Sequence, residues 1–375
     1  MDTIIVFALP VFALLMAAEW IYGWRIGRNT YRLNDSLSSL SLGVLSQAIA
    51  VCTQFFQIGL YTIAYRRLSQ FHHAGLWQTA LGWLLAVVLF DFCDYWLHRT
   101  GHETAVFWAA HVVHHQSQEF NFSTALRQES LVAILGWPFY LPLALAGVPP
   151  AQFALAGLIV LLYQFWIHTE HIGKLGWFDR VFSSPSNHRV HHAINPQYVN
   201  KNYGGMLVVW DRLFGTFAEE REPCVYGTQA PLAGWNPLWA VPQVYASLAQ
   251  DAWHTRRWQD KLRIWLMPPG WRPADLSARC LQPPLRTTDT PRFDPPVTRT
   301  DAAFAVAEFI LATAGTAMLL WRADRSLTWG HAALACLGIA AGLWTIGSAL
   351  QGRMGPLRGV VLNLPIIAIV VWALA

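Results

Sequence analysis

Long apolar runs alternate with two polar regions along this chain. A helix needs about 20 apolar residues to cross the hydrocarbon core of a membrane. No basic segment precedes the first apolar run and no small-residue cleavage site follows it, so we interpret it as a retained span rather than a signal peptide. Six runs of sufficient length lie at 3–24, 38–64, 76–97, 302–321, 329–349 and 357–375. The pattern predicts an all-α fold, a polytopic membrane helix bundle.

A further apolar run, residues 131–166, is interrupted by Gly147 and by the pair Pro149–Pro150. Proline cannot continue a helix, because it has no amide hydrogen and its ring clashes with the preceding turn. The run therefore predicts a helical hairpin that enters and leaves the membrane on one side. These boundaries divide the chain into N-terminal transmembrane helices (1–97), a core that contains the hairpin (98–217), a polar cap or linker (218–301) and C-terminal transmembrane helices (302–375).

The composition agrees with a membrane protein and excludes several other classes. Hydrophobic residues make up 54% of the chain and charged residues only 13%, against about a quarter charged in soluble proteins. The net charge of +4 comes from scattered arginines, which makes nucleic acid a poor partner. Five cysteines, an odd number with no C-x-x-C pair, argue against a disulfide framework or a zinc ribbon.

The arginines in two short loops predict the orientation. Residues 25–37 contain Arg25, Arg28 and Arg32, and residues 350–358 contain Arg353 and Arg358. Short loops rich in lysine and arginine stay in the cytoplasm. Both large polar regions then lie in the cytoplasm as well. The arginine-, tryptophan- and alanine-rich composition favours a bacterial inner membrane over the endoplasmic reticulum.

Histidine is concentrated in one part of the chain. Ten of the fourteen histidines lie between residues 98 and 192, in the patterns H-x-x-x-H, H-x-x-H-H, H-x-x-H and again H-x-x-H-H. Spacings of three and four place side chains on one face of a helix. The ten are His98, His102, His111, His114, His115, His168, His171, His188, His191 and His192. Neutral imidazole suits iron, copper, zinc or nickel, and ten rings exceed the needs of one ion. We predict a dinuclear metal centre in membrane-proximal helices on the cytoplasmic side.

Other metal chemistries fit the sequence less well. The H-E-x-x-H motif of zincin proteases is missing, because His102-Glu103 continues with Thr-Ala-Val. No E-x-x-H occurs, which excludes the pattern of the soluble carboxylate di-iron bundles. A non-catalytic membrane protein that only binds or carries metal stays open as an alternative of another class.

The histidine boxes resemble those of the fatty acid hydroxylase/sterol desaturase superfamily, whose members are membrane proteins with a non-haem di-iron centre. The match is closest to the alkylglycerol monooxygenase branch. Three runs carry it: F-W-A-A-H-V-V-H-H-Q-S-Q-E-F-N-F-S-T-A-L-R-Q (107–128), S-P-S-N-H-R-V-H-H (184–192) and K-N-Y-G-G-M-L-V-V-W-D-R-L-F-G-T-F (201–217). Two positions depart from the family pattern. Asn187 stands where a histidine is expected, and His171 is an addition that we interpret as a further ligand.

The resemblance implies two irons, O2, a membrane lipid as substrate and an external electron donor, with tetrahydrobiopterin as a candidate. The reaction implied is hydroxylation of the ether-linked carbon of an alkylglycerol. Sterol or fatty-acyl hydroxylation or desaturation is the alternative within the superfamily. Asp94, Glu103 and Asn202 are the candidate catalytic residues. The two acids would accept hydrogen bonds from ligand imidazoles, as Asp91 and Glu170 could also do.

Overall fold

The computed structural model describes residues 2–69, 74–277, 289–323 and 327–374. Helices account for nearly all of the regular structure, which confirms the predicted all-α class. Within the described residues the chain forms no β-strand, only the isolated bridges Phe182–Leu207 and Ala193–Tyr226.

The described part of the chain contains six helices that are long and apolar enough to cross a membrane, in the six regions that the sequence predicts. The first three are α1 (Asp2–Arg25), the rod formed by α2 (Leu33–Gln54) and α3 (Leu60–Leu68), and, after the short α4 (Ala74–Trp77), α5 (Ala80–Glu103). A single π-helical turn, Phe55–Gly59, joins α2 to α3 and makes a candidate span of 36 residues. The last three are α17 (Arg299–Ala323), α18 (Trp329–Leu350) and α19 (Pro356–Leu374).

The central region is built from shorter helices. Helix α6 (Ala105–His115) follows α5 after a single residue, Thr104, in extended conformation. The remaining elements up to residue 217 are α7 (Phe122–Ala125), α8 (Val132–Gly136), the 3-10 turn Trp137–Tyr140, α9 (Leu141–Ala146), α10 (Pro150–Trp166), the 3-10 turn Phe178–Arg180, α11 (Pro185–His192) and α12 (Val209–Phe214).

The predicted hairpin of residues 131–166 is present as α8–α9 followed by α10. The chain turns where the sequence predicts: Gly147 ends α9 with φ +84°, and Pro149 precedes the first residue of α10. A side chain at Gly147 would be strained by this left-handed backbone. The hairpin packs on α5 through Phe90 and Phe153, and Tyr61 of α3 stacks on Phe153 with ring centroids 3.8 Å apart.

Two apolar cores hold the molecule together. One lies between α5 and the hairpin, and the other joins α2 to the C-terminal helices α17 and α18. In the second core Leu42 and Leu45 of α2 lie with Leu343 and Ile346 of α18, all at most 4% exposed. Helix α2 therefore connects the C-terminal bundle to the central region.

The cap, residues 218–301, contains more helix than its proline-rich sequence suggests. Its helices are α13 (Pro237–Ala240), α14 (Gln243–His254), α15 (Trp258–Leu266) and α16 (Ala274–Ser277). Helices α14 and α15 pack against α6, and the Ala105 amide at the start of α6 donates to the Met267 carbonyl at 2.9 Å. Residues 278–288 of the predicted cap lie outside the described residues.

Candidate metal centre

The histidine boxes sit where helices end. His98 and His102 occupy the last two turns of α5, and the second box forms the last turns of α6. The fourth box is α11, which begins with Ser184 as N-cap and Pro185 in the first turn. Proline is favoured at that position because the first amides of a helix have no intrahelical acceptor. Short helices with defined starts thus present histidines at spacings of three and four on their inward faces.

The structure brings nine histidines together as two groups. Within each group the candidate ligand atoms all lie within 4.8 Å of one another. We call the first group site A; it consists of His98, His102, His111, His115 and His191. We call the second site B; it consists of His114, His168, His188 and His192. All nine are buried except His98, which is half-buried.

The ring nitrogens of each site converge on a common point. In site A the Nε2 atom of His111 lies 3.1 Å from that of His98 and 3.0 Å from that of His115. In site B the Nε2 atom of His168 lies 3.2 Å from that of His114 and 3.0 Å from that of His188. Nitrogen ligands about 2.1 Å from one ion and at right angles to each other are about 3.0 Å apart. The observed spacings match such a coordination shell.

Hydrogen bonds on the far side of the rings assign the tautomers. The Nδ1 atoms of His98, His114 and His168 lie 2.7–2.9 Å from the carbonyl oxygens of Tyr203, Arg127 and Gln164. A carbonyl can only accept, so each Nδ1 carries the proton and each Nε2 carries a lone pair. The lone pairs of His114 and His168 therefore face each other at 3.2 Å. They repel unless a cation lies between them.

The two sites adjoin. The rings of His115 (site A) and His192 (site B) stack with centroids 4.3 Å apart and an interplanar angle of 28°. The H-x-x-H-H boxes explain this arrangement. In α6, His111 and His115 belong to site A and His114 belongs to site B. In α11 the assignment is reversed: His188 and His192 belong to site B and His191 belongs to site A.

Glu129 orients a ligand and was missed by the sequence analysis. Its carboxylate accepts a hydrogen bond from Nδ1 of His111. Burial raises the pKa of Glu129, and the nearby His114 and His98 rings counteract that increase. A carboxylate behind a ligand imidazole fixes the ring and increases its basicity. No motif marks Glu129, because it lies 18 residues from its partner along the chain.

Burial keeps the histidines neutral. It is the largest influence on the seven rings of sites A and B outside the membrane spans. It lowers the pKa of His111 to about 3 and that of His114 to about 4. The pKa values of His115, His168, His188, His191 and His192 are also lowered well below 6.5, by burial first and by neighbouring imidazoles second. Neutral imidazole is the form that binds metal.

The donor set fits two metal ions. The buried Nε2 atoms of His102 and His191 have no hydrogen-bond partner among the described residues, and unpaired buried polar atoms are costly. An ion in site A would bind both of these atoms, and an ion in site B would separate the facing lone pairs of His114 and His168. A site of imidazoles alone suits iron, copper, zinc or nickel rather than magnesium or calcium.

Comparison with known proteins agrees with this geometry. A family model described as fatty acid hydroxylase matches residues 83–216, the segment that holds both sites. An ornithine lipid hydroxylase from Rhizobium tropici is 30% identical over 233 residues, which cover 60% of this chain and 67% of that protein.

This chain belongs to the fatty acid hydroxylase family.

Alkylglycerol monooxygenases are also similar to this fatty acid hydroxylase family member. The one from Danio rerio is 39% identical and the one from Homo sapiens 38% identical, each over 71% of this chain. The match covers 59% of each of those proteins, so the chain spans about three fifths of their length. No solved structure matches the chain significantly.

His171 lies outside both sites, contrary to the ligand role that the sequence suggested. Helix α10 ends at Trp166, so the spacing of three between His168 and His171 does not put them on one helical face. The His171 ring instead packs edge-on against Tyr22 of α1, with centroids 5.3 Å apart. Nine of the described histidines, rather than the ten expected, therefore form the two sites.

The three residues expected to be catalytic occupy supporting positions. Asp94 accepts a hydrogen bond from the Tyr140 hydroxyl at 2.8 Å. Glu103 accepts from Arg99 and from the Tyr203 hydroxyl, at 3.1 and 3.3 Å. Among the described residues neither acid bonds directly to a histidine. Glu103 approaches site A only through Tyr203, whose ring centroid is 5.3 Å from that of His102.

Asn202 and Asn187 stabilise the loop beside site A. Asn202 has a left-handed backbone with φ +56°. Its amide group donates to the carbonyls of Asn187 and Ala218 and accepts from the Ala218 amide, all at 2.8–3.0 Å. Asn187, at the position where the family pattern has histidine, donates to the carbonyls of Asp179 and Phe182. Both side chains are thus used in loop structure, and the catalytic role expected for Asn202 stays a prediction.

Asp91 and Glu170, the other acids considered from sequence, also hold the surrounding backbone. Asp91 accepts from the amides of Met206 and Leu207 and from the Trp210 indole, at 2.7–3.1 Å. Glu170 pairs with Arg28 at 2.8 Å and accepts from the Tyr226 hydroxyl.

Proposed function

We propose that this protein is a membrane-bound, non-haem di-iron monooxygenase that hydroxylates a lipid C–H bond. The observation that carries the proposal is the pair of adjoining all-histidine sites, one of which includes the end of the candidate span α5. His98 and His102 belong to a candidate span, so a lipid in the bilayer can reach the centre without leaving the membrane. Two irons held by these nine histidines would supply activation of O2.

The reaction balances with an external reductant. One oxygen atom enters the C–H bond, and the other leaves as water with two electrons and two protons. Carbonyl oxygens and Glu129 hold the ligand rings in one orientation, and burial excludes water from the imidazoles. We propose that the two electrons come from a separate donor molecule. We propose tetrahydrobiopterin as that donor.

The substrate that we favour is an alkylglycerol. The relatives named alkylglycerol monooxygenase share 38–39% identity with 71% of this chain, which supports the same substrate class here. Hydroxylation of the ether-linked carbon produces a hemiacetal, which breaks down to an aldehyde and glycerol. The ether oxygen is the leaving group, so no hydrolytic residue is required.

Hydroxylation without ether cleavage is the second candidate. It is supported by the similarity to the ornithine lipid hydroxylase and by a match of 29% identity, over 37% of this chain, to a Δ7-sterol 5(6)-desaturase of Aspergillus fumigatus. A hydroxylase would retain the whole lipid and add one oxygen atom. A desaturase would add none and remove two hydrogens.

We further propose that the centre faces the cytoplasm, with the bacterial inner membrane as the favoured location. The arginine-rich loop before α2 lies beside the histidine region, because Arg28 pairs with Glu170 and Arg32 pairs with Glu119. The loop and the centre therefore share one side of the membrane, and arginine-rich loops favour the cytoplasmic side.

The test combines metal analysis with turnover. The purified full chain, produced with ample iron, is assayed for metal content and then supplied with O2, tetrahydrobiopterin and either a 1-O-alkylglycerol or the matched 1-acylglycerol. We expect about two irons per chain and aldehyde release from the ether only. His111→Ala should lose both metal and activity. An intact lipid carrying one extra oxygen would favour the second candidate, and bound metal that never supports O2 consumption would favour a metal-binding protein instead.

A further inference from the structure

The C-terminal helices contain a polar cluster in the middle of their membrane spans. Glu308 of α17, Thr345 of α18 and Asn363 of α19 are 6%, 1% and 2% exposed. The Asn363 amide donates to the Thr345 hydroxyl at 3.0 Å, and Glu308 lines the same cavity as Asn363. Polar side chains inside a membrane span are costly and usually mark a functional site. None of these residues contributes to site A or site B.

A glycine makes room for this cluster. A Cβ atom at Gly342 of α18 would lie 2.8 Å from the Glu308 carboxylate oxygen, a distance that side chains do not tolerate. Small residues of this kind let transmembrane helices approach closely. The Glu308 carboxyl group therefore lies against α18 at Gly342, and Glu308 also lines the neighbouring cavity.

The cavity lies between α17 and α19 and has a volume of about 150 Å³. Glu308 and Asn363 form its polar part, and the other six lining residues are apolar. Three of them, Leu311, Val360 and Leu364, are 49%, 48% and 62% exposed on the outer surface of the bundle. Because these helices are membrane spans, the cavity opens sideways into the lipid.

One polar atom in this cavity has no partner. The Asn363 side-chain oxygen is buried and accepts no hydrogen bond from any described residue. Lipid hydrocarbon cannot supply a donor, so this oxygen can accept a hydrogen bond from a ligand in the cavity. Among the described residues Glu308 takes part in no ion pair, and a carboxyl group in that setting is stable only in its neutral form.

We propose that this cavity binds the hydroxyl end of an uncharged long-chain alcohol that enters from the bilayer. A hydroxyl group can donate to the Asn363 oxygen and accept from the Glu308 carboxylic acid, and it brings no charge into the hydrocarbon. An apolar cavity of about 150 Å³ holds a molecule the size of benzene. The hydroxyl group and the first few carbons therefore fit inside, and the remaining chain lies along Leu311 and Leu364 among the lipids.

The test uses photolabelling of the full chain in lipid nanodiscs. The probe is a long-chain 1-alkanol with a diazirine close to the hydroxyl group, and the matched probes are its methyl ether and the corresponding alkylamine. We expect the alkanol to label α17 and α19 peptides around Glu308 and Asn363. Unlabelled alkanol should compete, and the methyl ether should label these peptides at least about fivefold less, the effect of one hydrogen bond.

Two variants make the result specific. Asn363→Leu removes the unpaired acceptor and should reduce alkanol labelling to the level of the methyl ether. Thr316→Val is the matched control. Thr316 is a buried residue of α17 whose hydroxyl group also has no partner among the described residues, but it does not line the cavity. The alkanol probe should label the Thr316→Val variant as strongly as the wild type. Metal content should be unchanged in both variants, which separates this proposal from that of the metal centre.

Three outcomes would overturn the proposal. Equal labelling by alkanol and methyl ether would show a groove for lipid chains without hydroxyl recognition. Stronger labelling by the alkylamine would indicate a cation site at Glu308. Crosslinks from α17 or α19 to a second copy of the chain, with no lipid label, would indicate an interface between protein copies.

Discussion

The orientation of each ligand imidazole depends on the group bonded to its outer nitrogen. Four rings, those of His98, His114, His168 and His191, use backbone carbonyls for this purpose, and no substitution can remove those acceptors directly. His111 uses the Glu129 side chain. Glu129 is therefore the position where the support behind a ligand can be removed without touching the ligand.

Glu129→Ala should weaken metal binding at site A. The His111 ring loses its acceptor and becomes free to rotate, and the loss of such a partner costs about 10- to 100-fold in metal affinity. Competition with a chelator, followed by metal analysis, measures the change. Glu103→Gln is the matched control, since Glu103 reaches site A only through Tyr203; it should retain wild-type affinity. An equal loss in the two variants would contradict the assignment of Glu129.

His168 and His171 should respond differently to alanine. His168→Ala removes a ligand of site B and should lower the metal content by about one ion per chain. His171→Ala should keep the wild-type content, because its ring packs on Tyr22 away from both sites. Elemental analysis of the two purified variants makes the comparison. Metal loss in His171→Ala alone would restore the ligand role that the sequence suggested.

At the scale of helices and loops, carboxylates attach the loop after α11 to α5. Asp91 is fully buried and accepts three hydrogen bonds from residues 206–210. Asp211, in the first turn of α12, accepts from the Tyr203 and Gly204 amides of the same loop, at 2.7 and 2.8 Å. These bonds hold the Tyr203 carbonyl against His98 Nδ1. The loop is thus a structural support of site A.

Asp91→Ala should destabilise the fold. It leaves three donors without their acceptor, the amides of Met206 and Leu207 and the Trp210 indole N–H. At about 1–3 kcal/mol each, we expect a loss of at least about 3 kcal/mol in the free energy of unfolding. Denaturation of the detergent-solubilised protein measures it. Asp179→Ala is the control: Asp179 also accepts two backbone amides, from Leu175 and Gly176, but water can replace it there. If Asp91→Ala lowered the free energy of unfolding by less than about 1 kcal/mol, the structural role of Asp91 would be contradicted.

At the scale of the whole molecule, the centre needs four separated parts of the chain. Site A combines α5, α6 and α11, and site B combines α6, α11 and the segment after α10. The hairpin brings the chain back towards α6, where His168 meets His114. The cap covers α6 from outside through α14 and α15.

The proposed topology predicts which surface is accessible from each side. In a cysteine-free background, Trp253→Cys in the cap and Trp329→Cys at the start of α18 introduce single thiols at positions that are 82% and 63% exposed. A membrane-impermeant maleimide should label Trp329→Cys in intact cells. It should label Trp253→Cys only after the membrane is opened. The reverse pattern would place the metal centre outside the cytoplasm.

The sequence by itself determined the helical class, the six candidate spans, the hairpin turn and which histidines are grouped in boxes. These features depend on the length of apolar runs, on proline and on histidine spacings of three and four residues, all of which act locally along a helix. Only the tertiary structure decided which histidine serves which site, since each site joins segments up to about a hundred residues apart. It also decided that His171 lies elsewhere, because α10 ends before it. Only the tertiary structure shows that Glu129 accepts a hydrogen bond from His111 and that Asn202 supports the loop, because a hydrogen bond depends on which groups folding brings together.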